Sequence, residues 1–462
     1  MPAEDKTRFA QLNLHPALAE SLRQLDYAEM TPIQALALPL ALAGKDLIAQ
    51  AETGSGKTAA FALALLERLN PRRFAIQALV LCPTRELADQ VATEIRRLAR
   101  ALDNTKVVTL CGGVALRTQR LSLEKGAHIV VGTPGRVLDH LRRSALDLQA
   151  LNAVVLDEAD RMLDMGFFED IATVLRQCPR ERQTLLFSAT YPPGIEQLAA
   201  QFMREAHTVK TPKPEAGPRI AQRFYTIEPT QRLTMVARML MHFRPTSTIA
   251  FCNTKQRCDA LVALLRAQGI SALALHGDLE QRERDQVLVQ FAHRSLSVLV
   301  ATDLAARGLD IQELQAVINV DIAPDPAVHV HRIGRTGRAG QSGLALSLAT
   351  MDEMGAVGRI EQYQGIESQW YRTDELAAPS GAKLEPPMVT LQISGGRKDK
   401  IRAGDLLGAL TADAGLTREQ VGKITINDFT TYVAIDRDLA LSAMAKLHAG
   451  KVKGRKVKAR LL

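Results

Sequence analysis

The stretch AETGSGKT, residues 51–58, decides the fold. It follows a short apolar run, LIAQ at 47–50, and opens the helical stretch AAFALALLERL at 59–69. It fits the frame G-x-x-x-x-G-K-[ST], with Ala51 in the first, usually glycine, position. Strand, glycine-rich loop and helix in that order make a phosphate cradle. Thr53, Gly54, Ser55 and Gly56 form the loop, and its glycines let backbone N–H groups converge on phosphate oxygens at a helix N-terminus. Lys57 supplies a point charge for the β- and γ-phosphates, and Thr58 a hydroxyl for Mg²⁺.

A second stretch supplies the partner. VVLDEAD, 154–160, carries Asp157 to the end of an apolar strand, where ligands of open α/β sheets bind. An acid there can hold the same Mg²⁺, and Glu158 beside it can orient or deprotonate a water.

Outward from these two, apolar runs alternate with amphipathic stretches. DLIAQA, ALVLCP, HIVVGTP, AVVLDEAD and TLLFSAT read as buried strands, and ELADQVATEIRRLARAL (86–102) as a helix. That rhythm predicts βαβ units and a parallel sheet over residues 1–210. It breaks at the proline-rich TPKPEAGP, a linker over 211–218. It restarts in STIAFCN, SALALHG, SVLVATD and AVINVD, giving a second α/β domain over 219–371. A Pro-, Ala- and Gly-rich stretch over 372–386 reads as a flexible connector. The remainder, 387–462, reads β-α-β-β-α-β, the ferredoxin-like order. Its expected strands are 388–393, 423–427, 430–436 and 456–462, and its expected helices 404–415 and 437–450.

Charge is distributed unevenly. The formal net charge is +8, and residues 387–462 hold 14 Lys and Arg against 7 Asp and Glu, so nearly all the excess sits there. Such asymmetry points to a polyanion partner. The hydrophobic content of 46% suffices for packed cores. The five cysteines have no CxxC spacing, which excludes a zinc or redox pair of that kind. The opening MPAEDKTRFA carries charges where a signal peptide needs an apolar run, and ALALPLALA (35–43) is far shorter than the roughly 20 residues that span a bilayer. A cytoplasmic protein without membrane partner is expected.

Asp157-Glu158-Ala159-Asp160 spells DEAD, and residues 9 to about 365 resemble the DEAD-box RNA helicases, motif after motif in order. The resemblance implies two tandem RecA-like domains and an RNA-stimulated ATPase that hydrolyses ATP with Mg²⁺. YAEMTPIQ (27–34) resembles the adenine-reading motif, which assigns Gln34 to the adenine edge and Phe9 to the stacking ring. PTREL (83–87), Gly112-Gly113 and TPGR (133–136) resemble the RNA-backbone contacts, so Pro83, Thr84, Arg85, Gly113, Thr133, Pro134, Gly135 and Arg136 are implied to touch RNA. Ser188-Ala189-Thr190 resembles the element that couples ATP state to unwinding. In the second domain ATDLAARGLD (301–310) and HRIGRTGRAG (331–340) match; Thr302 is implied to touch RNA, Asp310 the ribose, and Arg335 and Arg338 to act as arginine fingers. Hydroxyls, amides and single arginines suit phosphates and 2′-hydroxyls, not base edges. The core is therefore expected to grip any RNA backbone.

The tail supplies an address. It resembles a degenerate RNA recognition motif: TTYVAI keeps Tyr432 but has Thr430 where a second ring would stack, and MVTLQI has no ring. A basic patch of Lys398, Lys400, Arg402, Lys423, Lys451, Lys453, Arg455 and Lys456 is expected to hold a folded hairpin by its phosphates. GGRKDKIRAGDLLGALTADAGL (395–416), VGKITIN and the closing HAGKVKGRKVKARLL resemble the RNA-binding domain of DbpA-like bacterial helicases. That implies a hairpin of large-subunit ribosomal RNA, met in pre-ribosomal particles during ribosome assembly. A helicase of general RNA turnover and an ATP-gated RNA clamp are the alternatives; no obligate protein partner is evident.

Overall fold

The structure, a computed structural model, describes residues 8–52, 54–211, 220–306, 314–337, 342–377, 383–413 and 415–462. The chain forms two compact units, Met1–Pro214 and Glu215–Leu462. Among the described residues no helix is long and apolar enough to cross a membrane, and all five cysteines are buried free thiols.

The first unit holds seven strands: β1 (Leu47–Gln50), β2 (Ala78–Leu81), β3 (Val107–Leu110), β4 (Ile129–Gly132), β5 (Ala153–Leu156), β6 (Gln183–Ser188) and β7 (His207–Lys210). They pair in the order β3-β4-β2-β5-β6-β1-β7, all parallel. The four residues of β2, β4 and β5 are all buried, so these strands carry apolar side chains on both faces. A parallel sheet covered by helices on both sides demands that pattern. Two apolar layers result, one around Leu47, Val80, Val155 and Phe187, the other around Ile48, Leu79, Val154 and Leu186. The C-terminal strand ends then share one edge, and the expected motifs all follow strand ends.

The second unit contains β8 (Ile220–Thr226), β9 (Thr248–Phe251), β10 (Ala272–Leu275), β11 (Val298–Ala301), β12 (Ala316–Asn319), β13 (Gly343–Ala349) and β14 (Trp370–Tyr371). Their order is β10-β11-β9-β12-β13-β8-β14, again parallel. Residues 388–462 add β15 (Met388–Ser394), β16 (Val421–Ile426), β17 (Thr430–Asp436) and β18 (Ala459–Leu461), an antiparallel sheet in the order β16-β17-β15-β18. This is the ferredoxin-like arrangement, with helices Ala403–Gly408 and Ala440–Ala449 on one face. The first expected tail helix is shorter than its pattern suggested: after Gly408 it widens into a π turn, Ala409–Asp413.

The stretch expected to be a flexible connector is held down where it is described. Leu376 and Leu384 are buried in the core of the second parallel sheet. Ser271 N–H and the Ser297 hydroxyl donate to the Leu384 carbonyl at 3.2 and 3.3 Å. Two leucines among small residues suffice to anchor the strap, a signal that composition averages away.

The free face of the tail sheet is also covered. His293, which ends the helix Gln281–Ala292, meets the Thr425 hydroxyl on β16 at 2.9 Å, and the Ser295 and Thr390 hydroxyls lie 2.6 Å apart. Tyr432, in the middle of β17, is only 5% exposed and shares a hydrogen bond with the Gln286 side chain of that helix. The ring that looked available for a base is packed against protein.

Candidate nucleotide and RNA site

β1 delivers the chain into the phosphate loop, and the helix Lys57–Glu67, buried at nine of its positions, fixes where the loop ends. Gly54 and Gly56 have φ of +86° and +93°. At Gly56 the conformation is forced from two sides, because a Cβ there would stand 2.5 Å from Gln34 Nε2. The Gln34 amide is engaged at both ends: Nε2 donates one of its two N–H groups to the Gly56 carbonyl at 3.0 Å, and Oε1 accepts from Thr31 N–H at 2.8 Å. The Thr31 hydroxyl donates to the Ser55 carbonyl at 2.7 Å. The motif assigned to adenine thus braces the phosphate loop directly. Lys57 is buried, and its ammonium donates to the Ala51 carbonyl at 2.8 Å. Phe9 is 4% exposed, its ring edge-on to Tyr27 at 5.7 Å.

β5, two strands from β1, ends in the carboxylates. Asp157 is 3% exposed, and Glu158 N–H donates to its Oδ1 at 3.0 Å. Burial pushes its carboxyl up to about 7; Lys57 opposes that shift and Glu158 adds to it. Glu158 sits in the left-handed region at φ +51° and caps the short helix Ala159–Asp164. Its Oε2 lies 3.1 Å from Arg161 Nη1, both side chains being buried. Asp160 turns the other way. Its Oδ2 accepts from Ala189 N–H at 3.2 Å and from Thr190 N–H and hydroxyl at 2.8 Å each. Ser188 Oγ accepts from Asp160 N–H at 3.3 Å and donates to the Thr190 carbonyl at 2.7 Å.

The residues expected to touch RNA occupy the neighbouring strand ends. Pro83 is buried, and Thr84 caps the helix Arg85–Leu98, accepting from Leu87 N–H at 3.2 Å. Arg85 pairs loosely with Asp89 at 3.6 Å. Thr133 and the buried Pro134 open the helix Pro134–Arg142, which contains Gly135. Arg136 is turned inward: its Nη1 donates to the Val114 carbonyl at 2.7 Å and to Gln119 Oε1 at 2.9 Å. Gln119 Nε2 in turn donates to the Cys111 carbonyl at 2.8 Å, so Arg136 braces the turn that carries exposed Gly112 and Gly113.

In the second unit Thr302 follows β11, and its N–H donates to the Leu275 carbonyl at 3.3 Å. Arg335, just past the helix Pro326–Ile333, is 5% exposed. The buried cation beside it is Arg332, which pairs with Asp303 through Nε and Nη2 at 2.7 Å each and donates to Asn253 Oδ1 at 2.8 Å. Thr53, Asp310 and Arg338 lie outside the described residues. In the tail Lys398, Lys400, Arg402, Lys451, Lys453, Arg455 and Lys456 are exposed around the end of the sheet where β15 finishes. Lys423 is separate from them, close enough to His293 to oppose its protonation.

Several residues that stand out in the structure were not singled out from the sequence. Arg161 stands three residues after Glu158 at the start of a helix, a spacing that brings side chains together and so was legible. Arg332 and Asp303 were hidden inside longer motifs. Phe429, 71% exposed in the turn between β16 and β17, had no periodic signal at all.

Residues 31–198 match the DEAD/DEAH box helicase family, 231–340 the helicase conserved C-terminal domain, and 390–461 the DbpA RNA binding domain. The ATP-dependent RNA helicase DbpA of Escherichia coli is 51% identical over 457 residues, 99% of this chain and 100% of that one. The DEAD-box ATP-dependent RNA helicase CshA of Geobacillus kaustophilus is 44% identical over 357 residues, 77% of this chain and 76% of that one. Among solved structures, S. cerevisiae Dbp5 bound to RNA and ADP BeF3 is similar with a TM-score of 0.73 and 33% identity, covering 80% of this chain and 96% of that one. CshA and Dbp5 match about four-fifths of the chain, whereas the DbpA likeness runs through the tail as well, and the chain therefore belongs to the DEAD-box ATP-dependent RNA helicases, in their DbpA branch.

Proposed function

We propose that this ATP-dependent RNA helicase separates short duplexes in large-subunit ribosomal RNA during ribosome assembly, in the cytoplasm, and that its tail selects the place. Three parts share the work: 1–210 binds ATP, 219–371 completes the catalytic site, and 387–462 recognises a hairpin on the pre-ribosomal particle. The observation that carries the reading is the tail itself. It is a folded RNA-binding domain that holds nearly all the excess charge, while the helicase core is close to neutral. A near-neutral core has little electrostatic pull on RNA of its own, whereas a basic module held to it raises the effective concentration of one target.

In the catalytic step Lys57 and the loop Thr53–Gly56 hold the phosphates, Gln34 and Phe9 hold the adenine, and Asp310 the ribose. Asp157 and Thr58 fit Mg²⁺: a buried carboxylate with one N–H partner and the hydroxyl that follows Lys57 are hard oxygen donors. When bound, Mg²⁺ neutralises charge on the phosphates. Glu158 orients and deprotonates the attacking water. Phosphoryl transfer rests on positioning and charge stabilisation, and Arg335 with Arg338 supplies arginine fingers, a contribution of about 10³–10⁵ in rate. Because the fingers come from the second part, hydrolysis follows RNA binding, and Ser188, Ala189 and Thr190 carry the ATP state toward the RNA-gripping strand ends.

The test is steady-state ATPase of the full chain with large-subunit ribosomal RNA and with poly(U), repeated with Lys398, Lys400, Lys453 and Arg455 changed to Gln. Ribosomal RNA should stimulate the intact chain far more, and the altered chain should lose that preference. Equal responses to both RNAs in both proteins would favour a general helicase.

A further inference from the structure

Because Tyr432 of β17 packs on the helix Gln281–Ala292 and Thr390 of β15 meets His293 and Ser295 just past its end, the sheet face that stacks bases in RNA recognition motifs is closed here. The opposite resource is the loop end of the same domain. There, three segments are joined into one platform. Arg397 and Lys398 N–H groups donate to the Asn427 and Asp428 carbonyls at 2.9 Å each, and Gly395 N–H to the Phe429 carbonyl at 3.0 Å. Gly396 has no room for a Cβ, which would meet the backbone of Asn427 and Asp428. The third segment is tied in by Ser394 N–H, which donates to the Lys458 carbonyl at 2.8 Å, and by the Lys453 ammonium, which donates to the Lys400 carbonyl at 2.6 Å. Exposed pairs Arg397–Asp428 and Arg455–Asp399, at 3.5 and 3.4 Å, set side-chain directions and contribute little energy.

From this platform Phe429 projects with 71% of its surface exposed, on a turn whose backbone is hydrogen-bonded on both sides. We infer that Phe429 is a base-stacking residue: one unpaired base of the RNA lies on its ring while Arg397, Lys398, Lys400, Lys453 and Arg455 hold the flanking phosphates. The inference rests on the tail being the RNA-addressing part. Burial is what an exposed phenyl ring gains from a base, and a ring held rigidly loses little entropy on binding. Cations on either side supply the backbone contacts that single-stranded RNA needs alongside a stacking surface.

The experiment uses the full chain and a large-subunit ribosomal RNA transcript, with affinity measured across a salt series. Phe429→Ala should weaken binding by about 5- to 150-fold, the usual range for one stacked base. The slope of log affinity against log salt should be unchanged, since no phosphate contact is lost. Changing Lys398, Lys400, Lys453 and Arg455 to Gln should instead flatten that slope by roughly 3 to 4, at about 0.9 per phosphate. Phe429→Trp, in a Trp370→Phe background that removes the single native tryptophan, should keep the affinity and be quenched by the RNA. Unaltered binding by Phe429→Ala, with a flattened slope in the charge variant, overturns the stacking role and leaves the address intact. Unaltered binding by both overturns the address as well.

Discussion

Thr190 gives both its backbone N–H and its hydroxyl to one oxygen of Asp160, at 2.8 Å each. Burial alone would raise the Asp160 carboxyl, but the two Thr190 bonds, with Lys57 and Ser188, together hold the group below its usual value. The last letter of the DEAD run is thereby fastened to the strand end that carries Ser188-Ala189-Thr190. Thr190→Val removes the hydroxyl bond alone. A bond to a charged group contributes about 1.5–3 kcal/mol, so the first unit should unfold at lower urea by that amount. Duplex separation should fall more than RNA-stimulated ATP hydrolysis, and assays of both on one preparation check this.

Gly56→Ala meets two obstacles at once. The backbone is at φ +93°, which costs a side chain about 1–2 kcal/mol, and the added methyl would stand 2.5 Å from Gln34 Nε2. Gln34 must move, and its bond to the Gly56 carbonyl goes with it. The KM for ATP should rise by at least about tenfold, as expected when more than 1.4 kcal/mol of site geometry is lost. Ser55→Ala keeps the loop backbone and loses only the hydroxyl bond to the Glu52 carbonyl, 2.7 Å, so its KM should rise less than that of Gly56→Ala.

The parallel sheets were legible because their strands are short apolar runs ended by small or polar residues, and AVVLDEAD shows why. Four buried residues and then acids can only be an inner strand reaching the sheet edge. The order of the tail strands was legible from the same kind of pattern, with Thr430–Asp436 found to the residue. What covers the tail sheet was not. Tyr432 looks alike in sequence whether it faces a base or Gln286, and Ser295 and Thr390, 95 positions apart, carry no local sign that their hydroxyls meet. Arg136 was assigned to RNA because TPGR resembles a backbone-contact motif. Its bonds to the Val114 carbonyl and Gln119 depend on the turn after β3, the strand next to its own β4.

Glu158, proposed above as the base, has an unusual backbone, φ +51°, and Arg161 at 3.1 Å. Glu158→Gln keeps the size and the hydrogen-bonding oxygen but cannot take a proton. Turnover should drop by about 10²–10⁴, the range of general base catalysis, while ATP and RNA still bind. Single-turnover hydrolysis and equilibrium binding separate the two effects. Sustained turnover in this variant would remove Glu158 from the chemistry.

Arg332 is almost fully buried and forms a two-pronged pair with Asp303. It also donates to the Asp321 carbonyl at 2.6 Å and to Asn253. Arg332→Met removes the cation and leaves the carboxylate of Asp303 without it. Breaking such a pair from one side costs about 3–5 kcal/mol. Adding Asp303→Asn should restore part of that stability, because the stranded charge is removed too. Thermal unfolding of the two variants side by side tests the coupling; equal midpoints would mean that the pair is not the source of the loss.

His293 reports on the covered face of the tail. Burial holds its imidazole down to about 4, and Lys423 adds to the effect, so it is neutral where it meets the Thr425 hydroxyl. The unfolded or undocked imidazole takes a proton near 6.5, while the docked one resists until about 4. The folded pKa is thus depressed. The stability it confers is complete above pH 6.5 and is lost as pH falls from there toward 4, by up to ~1.4 kcal/mol per pH unit. His329 is buried and held down to about 4 as well, so part of the acid sensitivity of the second unit is its own. His293→Gln retains a hydrogen-bonding group for Thr425 and cannot titrate. Its thermal midpoint should therefore fall less than that of the unaltered chain between pH 7.5 and 5.5. The difference between the two slopes isolates the contact at the tail, and parallel slopes would show that this histidine is free to protonate in place.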